Sequence, residues 1–147
     1  MKHIILTVFF IVSSTFSFPV FADNASQQFG TCMVDSLTGK ERKQLARWIF
    51  FGMAAHPDIN DYSNITPDTR NNSDKVIGRL ITRLFSNDCP SEFKAAYKAD
   101  SLAIQKAFEL VGRVAMQELM TNENVNLAIT GYVKHIDENK INSLTGK

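Results

Sequence analysis

The sequence predicts an all-α protein: about five helices in a compact, antiparallel, bundle-like domain. Apolar residues recur at the three-and-four spacing of helices through most of the chain after residue 22, and no segment alternates apolar and polar residues between turn pairs as a half-buried strand does. Composition agrees. The 147 residues are 44% apolar and 21% charged, with 16 Lys and Arg against 15 Asp and Glu, the balance of one globular domain.

Residues 1–22 read as an export leader. Lys2 supplies a minimal positive start, an apolar run extends from Ile4 to Val12 and continues less strictly to Phe18, and Val20-Phe21-Ala22 forms a small-x-small cleavage signal before Asp23. The run is short for the roughly 20 residues a bilayer span requires, which disfavours an uncleaved anchor. Cleavage removes Lys2 and leaves a neutral chain, 23–147, with 15 basic and 15 acidic residues. Net charge then gives no steering toward nucleic acid or anionic lipid. The expected location is periplasmic or secreted, with no stable membrane insertion.

The first helix is expected over Ser26 to Leu37, with Phe29, Cys32, Met33 and Leu37 near one face. Thr38 opens a capping box with Glu41, so the second helix runs from Gly39 to about His56, where Pro57 stops it. This segment is the most apolar of the domain, and a helix apolar on all sides past its midpoint is expected to be central. Residues 58–73 read as a polar loop, with a helical turn at Thr66 and Pro67 as its one candidate for regular structure. Ser73 caps the third helix, whose face carries Val76, Ile77, Leu80, Ile81, Leu84 and Phe85. The fourth begins near Ser91 and reaches about Met120, with a kink or restart at Asp100 and Ser101. The last covers about Asn124 to Asn139, with Val125, Ala128, Ile129, Tyr132, Val133 and Ile136 on one side. The pentapeptide at 36–40, Ser-Leu-Thr-Gly-Lys, recurs at 143–147 without matching flanks, so it indicates no repeat architecture.

Both cysteines, Cys32 and Cys89, survive leader removal, and an oxidising compartment leaves them one intramolecular pairing. Closing so long a loop destabilises the unfolded chain by about 4 kcal/mol in the chain-entropy model, which makes a structural staple the expected role. A redox-active pair calls for Cys-x-x-Cys spacing, which is absent.

Enzyme and cofactor signatures are equally missing. There is no Gly-x-Ser-x-Gly elbow, no Walker loop and no Gly-x-Gly-x-x-Gly. His56 with Asp58 and Asp61, or His135 with Asp137 and Glu138, lacks the spacing that makes zinc specific, so no metal or other cofactor is expected. Glu109 and Glu118 are the candidate acid/base pair of a hydrolase, the third-ranked reading, while Glu109 with Arg113 is an ordinary i,i+4 ion pair.

The candidate binding residues cluster on the second helix. Arg42, Lys43 and Arg47, with Lys40, form a basic group at its positive dipole end, suited to a phosphate or an acidic partner. Trp48, Phe51 and His56 follow as core or as the lining of a pocket, with the His56 ring expected to point inward. The reading that remains by elimination is a non-enzymatic exported protein that binds another protein, an inhibitor or immunity-like role being one form of it. The alternative is a carrier of a small apolar ligand held between helices near Trp48, Phe51 and His56.

Overall fold

The computed structural model describes residues 20–146, with side chains from 24 onward. The expected leader falls almost wholly outside the described residues. Among these, eight α-helices occur: α1 (Val20–Asp35), α2 (Gly39–Met53), α3 (Pro57–Asn60), α4 (Pro67–Arg83), α5 (Pro90–Ala99), α6 (Ala103–Met120), α7 (Glu123–Thr130) and α8 (Glu138–Thr145). A π-turn over Leu84–Asp88 joins α4 to α5, and a 3-10 turn over Gly131–His135 joins α7 to α8. The all-α class stands, but the five-helix count is corrected to eight.

Local chemistry explains each extra helix. His56 is not the end of α2 but the extended cap of a single turn, α3, and its Nδ1 accepts the Asp58 amide at 3.2 Å. Asp100 is also extended and divides the expected fourth helix at the anticipated restart; its Oδ1 accepts the Leu102 amide at 2.9 Å. The last helix is interrupted because Gly131 weakens it and Asp137 offers a competing cap, accepting the Lys140 amide at 3.1 Å. Helix α4 starts earlier than expected: Thr66 accepts the Thr69 amide at 3.1 Å with Pro67 in first position, leaving Ser73 as a buried interior residue rather than a cap.

The centre of the body is also corrected. Helix α6, not α2, is the hub, packing against α1, α2, α5 and α7. Its small residues Ala103, Ala107, Val111 and Ala115 are all buried at successive i+4 positions, so neighbouring backbones come close. At the crossing with α1, a Cβ on Gly30 would meet the Ala107 backbone at 3.3 Å and Leu110 at 3.0 Å. Phe29 fills the adjoining space, its ring 5.1 Å from Phe85 and 5.6 Å from Phe93. By contrast α2 buries only Leu45 and Ala46, because α4 and α6 cover part of its circumference while Phe50 and Met53 stay exposed.

The disulfide forms as expected between Cys32 and Cys89, with Cα atoms 6.0 Å apart. It ties α1 to the end of the π-turn, where the Cys89 amide donates to the Leu84 carbonyl at 2.9 Å. Arg83 holds the same end. Its guanidinium lies 2.8 Å from both Glu41 and Asp88 and 3.2 Å from the Ser36 carbonyl.

Candidate functional site

The residues singled out on α2 are dispersed rather than gathered into one pocket. Trp48 is 36% exposed, and its Nε1 donates to Asp74 on α4 at 2.8 Å. Phe51 and Arg47 line a groove of about 310 Å3 with Thr69, Asn72, Ser73 and Val76, in which Trp48 and His56 take no part. The Phe51 carbonyl accepts from Arg70. His56 does not point into the core as expected: its imidazole is exposed, because the chain has left α2 at Met53 and the ring serves as the cap of α3.

Two members of the basic group, Arg42 and Lys43, face one counter-charge, Glu118. Arg42 donates to the Leu37 carbonyl at 2.9 Å and lies 3.5 Å from Glu118, which also stands 3.9 Å from Lys43. These contacts explain how cations are tolerated at the positive end of α2. Glu118 is thereby committed to the α2–α6 interface. Glu109 accepts from Gln105 at 3.3 Å. The two carboxylates lie nine positions apart on one straight helix, about 13 Å along its axis, wider than the separations used by glycosidases.

Electrostatic organisation is strongest around Thr38. Its amide donates to Glu41 at 2.9 Å, its hydroxyl at 2.8 Å, and the Glu41 amide returns to the hydroxyl at 3.3 Å. Burial acts to raise the Glu41 pKa, but the Thr38 and Arg83 hydrogen bonds outweigh it and hold the carboxyl below its ordinary value. Burial likewise acts to lower the Arg83 pKa, and Glu41 and Asp88 together raise it. This constellation is a structural clamp beside the disulfide.

The most unusual surface lies elsewhere, on the arm formed by α7, the 3-10 turn and α8. None of its residues is buried. Leu127 is 61% exposed, Tyr132 63% and Leu144 84%, and Ile129, Val133, Ile136 and Ile141 are exposed as well. Asn122 caps α7, accepting the Asn124 amide at 3.0 Å, and α7 meets the body chiefly at the end of α6. Val133, Ile136 and Ile141, with Glu138 and Asn142, enclose a groove of about 180 Å3 within the arm. Of the exposed apolar side chains on the arm, Val133, Ile136 and Ile141 share this groove, and grouped exposed apolar residues of this kind are a feature of interaction sites.

The sequence places Ile129, Tyr132, Val133 and Ile136 on one side of a single last helix and does not mark them as a site. The available signal was the pair of capping residues, Asn122 and Asp137, with Gly131 between them: two short helices cannot present one continuous stripe to the body. No family model, curated protein or solved structure matches this chain. No helix among the described residues is long and apolar enough to cross a membrane.

Proposed function

We propose that the protein acts in the periplasm or outside the cell by binding another protein, and that the arm from Glu123 to Thr145 carries the contact. The supporting observation is that seven large apolar side chains between Leu127 and Leu144 are exposed on an arm with no buried residue, whereas the body, though it too exposes side chains such as Tyr62 and Tyr97, has a buried core. Interfaces draw on such uncovered aliphatic and aromatic surface. The reading includes removal of residues 1–22, so the N-terminus of the exported protein is expected at Asp23. Recovery of Met1 in a membrane fraction excludes that location.

A photo-crosslinking residue placed at Leu127 or Tyr132 in cells tests the binding surface. Discrete protein adducts are expected at both positions and not at Lys75 on α4. The reading fails if the arm gives no adduct while Lys75 or the α2 positions do.

A further inference from the structure

The groove between α2 and α4 lies apart from the arm, and we infer that it binds a small monocarboxylate with an apolar body. Its walls follow from helical spacing. Arg47 and Phe51 stand at i and i+4 on α2, and Thr69, Asn72, Ser73 and Val76 at i, i+3, i+4 and i+7 on α4, so one stripe of each helix faces the gap. The helices pack against each other, yet about 310 Å3 stays open between these stripes, at the lower end of the roughly 300–1,000 Å3 found for small-molecule sites. The ligand is therefore small.

Ser73 points to a ligand. It is only 7% exposed, and its hydroxyl has no hydrogen-bond partner among the described residues. No fully buried side-chain oxygen or nitrogen among them lacks a partner, so this hydroxyl opens onto the groove that Ser73 lines. A helical hydroxyl often turns back to the carbonyl four residues earlier, as Thr82 does to Gly78 at 2.8 Å. Ser73 makes no such bond.

Arg47 gives the ligand its charge. Arg42 and Lys43 lie against Glu118 and Arg70 donates to the Phe51 carbonyl, whereas Arg47 has no ion pair or hydrogen bond among the described residues. No acid lines the groove, and Asp74, the next residue after Ser73, accepts from Trp48 at 2.8 Å. A planar guanidinium meets a carboxylate through two parallel N–H···O bonds, and the Ser73 hydroxyl and Asn72 amide stand beside it. Phe51 and Val76 face the remainder of the ligand. A neutral apolar molecule leaves Arg47 and Ser73 without a use, and an inorganic anion leaves Phe51 and Val76 without one.

Amide chemical-shift titration of the purified, oxidised protein with phenylbutyrate, and with the uncharged phenylbutanol, provides the test. Shifts are expected to cluster at 47, 51 and 69–76, with half-saturation near about 1 mM and phenylbutanol weaker by about tenfold. Arg47→Gln should weaken phenylbutyrate by about tenfold and remove its advantage over phenylbutanol, while Ser73→Ala should weaken phenylbutyrate several-fold. Both variants should keep the parent spectrum elsewhere and the parent melting transition, because neither side chain bonds within the protein. Absence of shifts at these positions up to about 10 mM, equal binding of the two compounds, or phenylbutyrate binding undiminished in Arg47→Gln overturns the inference. Shifts centred on 127–144 overturn it as well, since they mark unselective contact with the exposed apolar side chains of the arm.

Discussion

The pentapeptide Ser-Leu-Thr-Gly-Lys stands at 36–40 and again at 143–147, and its two copies have opposite structural roles. In the first, Leu37 is 5% exposed, Thr38 caps α2 and Gly39 is that helix's first residue. In the second, Leu144 is exposed, Thr145 is the last residue of α8, and Gly146 closes the helix with φ 68°. Glycine fits there because positive φ costs it little. The hydroxyl of Thr38 serves a capping box with Glu41, while that of Thr145 turns back to the Asn142 carbonyl at 3.2 Å. Five identical residues thus begin one helix and end another. The surroundings decide between these outcomes: Arg83, Glu41 and the disulfide enclose the first copy, and the second rides on an arm with no buried residue.

The covalent link should give the largest difference between these two regions. Removing it by reduction, or by Cys32→Ala with Cys89→Ala, is expected to cost about 4 kcal/mol in urea unfolding, less any strain it now imposes. Hydrogen exchange should increase across α1, the π-turn and α5 and stay unchanged in α7 and α8. Equal loss of protection in the arm contradicts the division between body and arm.

Next comes the leucine pair. Leu37→Ala empties a buried site and is expected to destabilise the protein by about 2–4 kcal/mol, whereas Leu144→Ala should stay within about 0.5 kcal/mol when measured on diluted protein. Similar costs for both leucines place Leu144 in a packed environment within the single chain and break the comparison.

A smaller contrast separates the threonines. Thr38→Ala removes a cap and should cost about 1 kcal/mol, with Thr145→Ala costing a few tenths at most. The same box sets an acid dependence. Because the folded Glu41 pKa is depressed, its contribution is complete above the unfolded carboxylate range, near pH 4.3, and is lost as pH falls through the lower folded value. Asp100 acts in the same direction, held low first by the Leu102 amide and then by Lys106. Glu41→Gln should therefore lower the neutral plateau of a stability profile and flatten its acid limb. An unaltered limb removes Glu41 from the account.

Much of the body is legible in the sequence because its signals are local. The Thr38–Glu41 box, the restart at Asp100 and the buried Phe29, Met33, Ile77 and Leu80 follow from spacing and chemistry within a turn or two, and the pairing of the distant Cys32 and Cys89 follows from there being only two cysteines. What the sequence does not carry is the identity of the covering neighbour. The run from Trp48 to Ala55 is apolar on every side, yet α4 and α6 cover only part of it, so the helix that looks central is peripheral. Helix α6 looks ordinary, yet its alanines make it the hub, because close approach depends on what Gly30 faces across the gap. Periodicity at Ile129, Val133 and Ile136 shows an apolar face without showing that the body leaves it open.

The smallest expected effect is at His56, and it decides what the α2 end can contribute to binding. The ring is exposed, and its one backbone task is to accept the Asp58 amide at the head of a four-residue helix. His56→Ala should therefore cost a few tenths of a kcal/mol to about 1 kcal/mol, and His56→Asn, which supplies a stronger capping oxygen, should restore the parent melting temperature. Neither substitution should alter adducts formed at Leu127 or Tyr132, because His56 belongs to the α2–α3 junction and the arm meets the body at α6. Loss of those adducts in His56→Asn with the melting temperature preserved extends the interaction surface from the arm to the α2 tip. Unchanged adducts in both variants leave His56 with its cap alone and confine recognition to the arm.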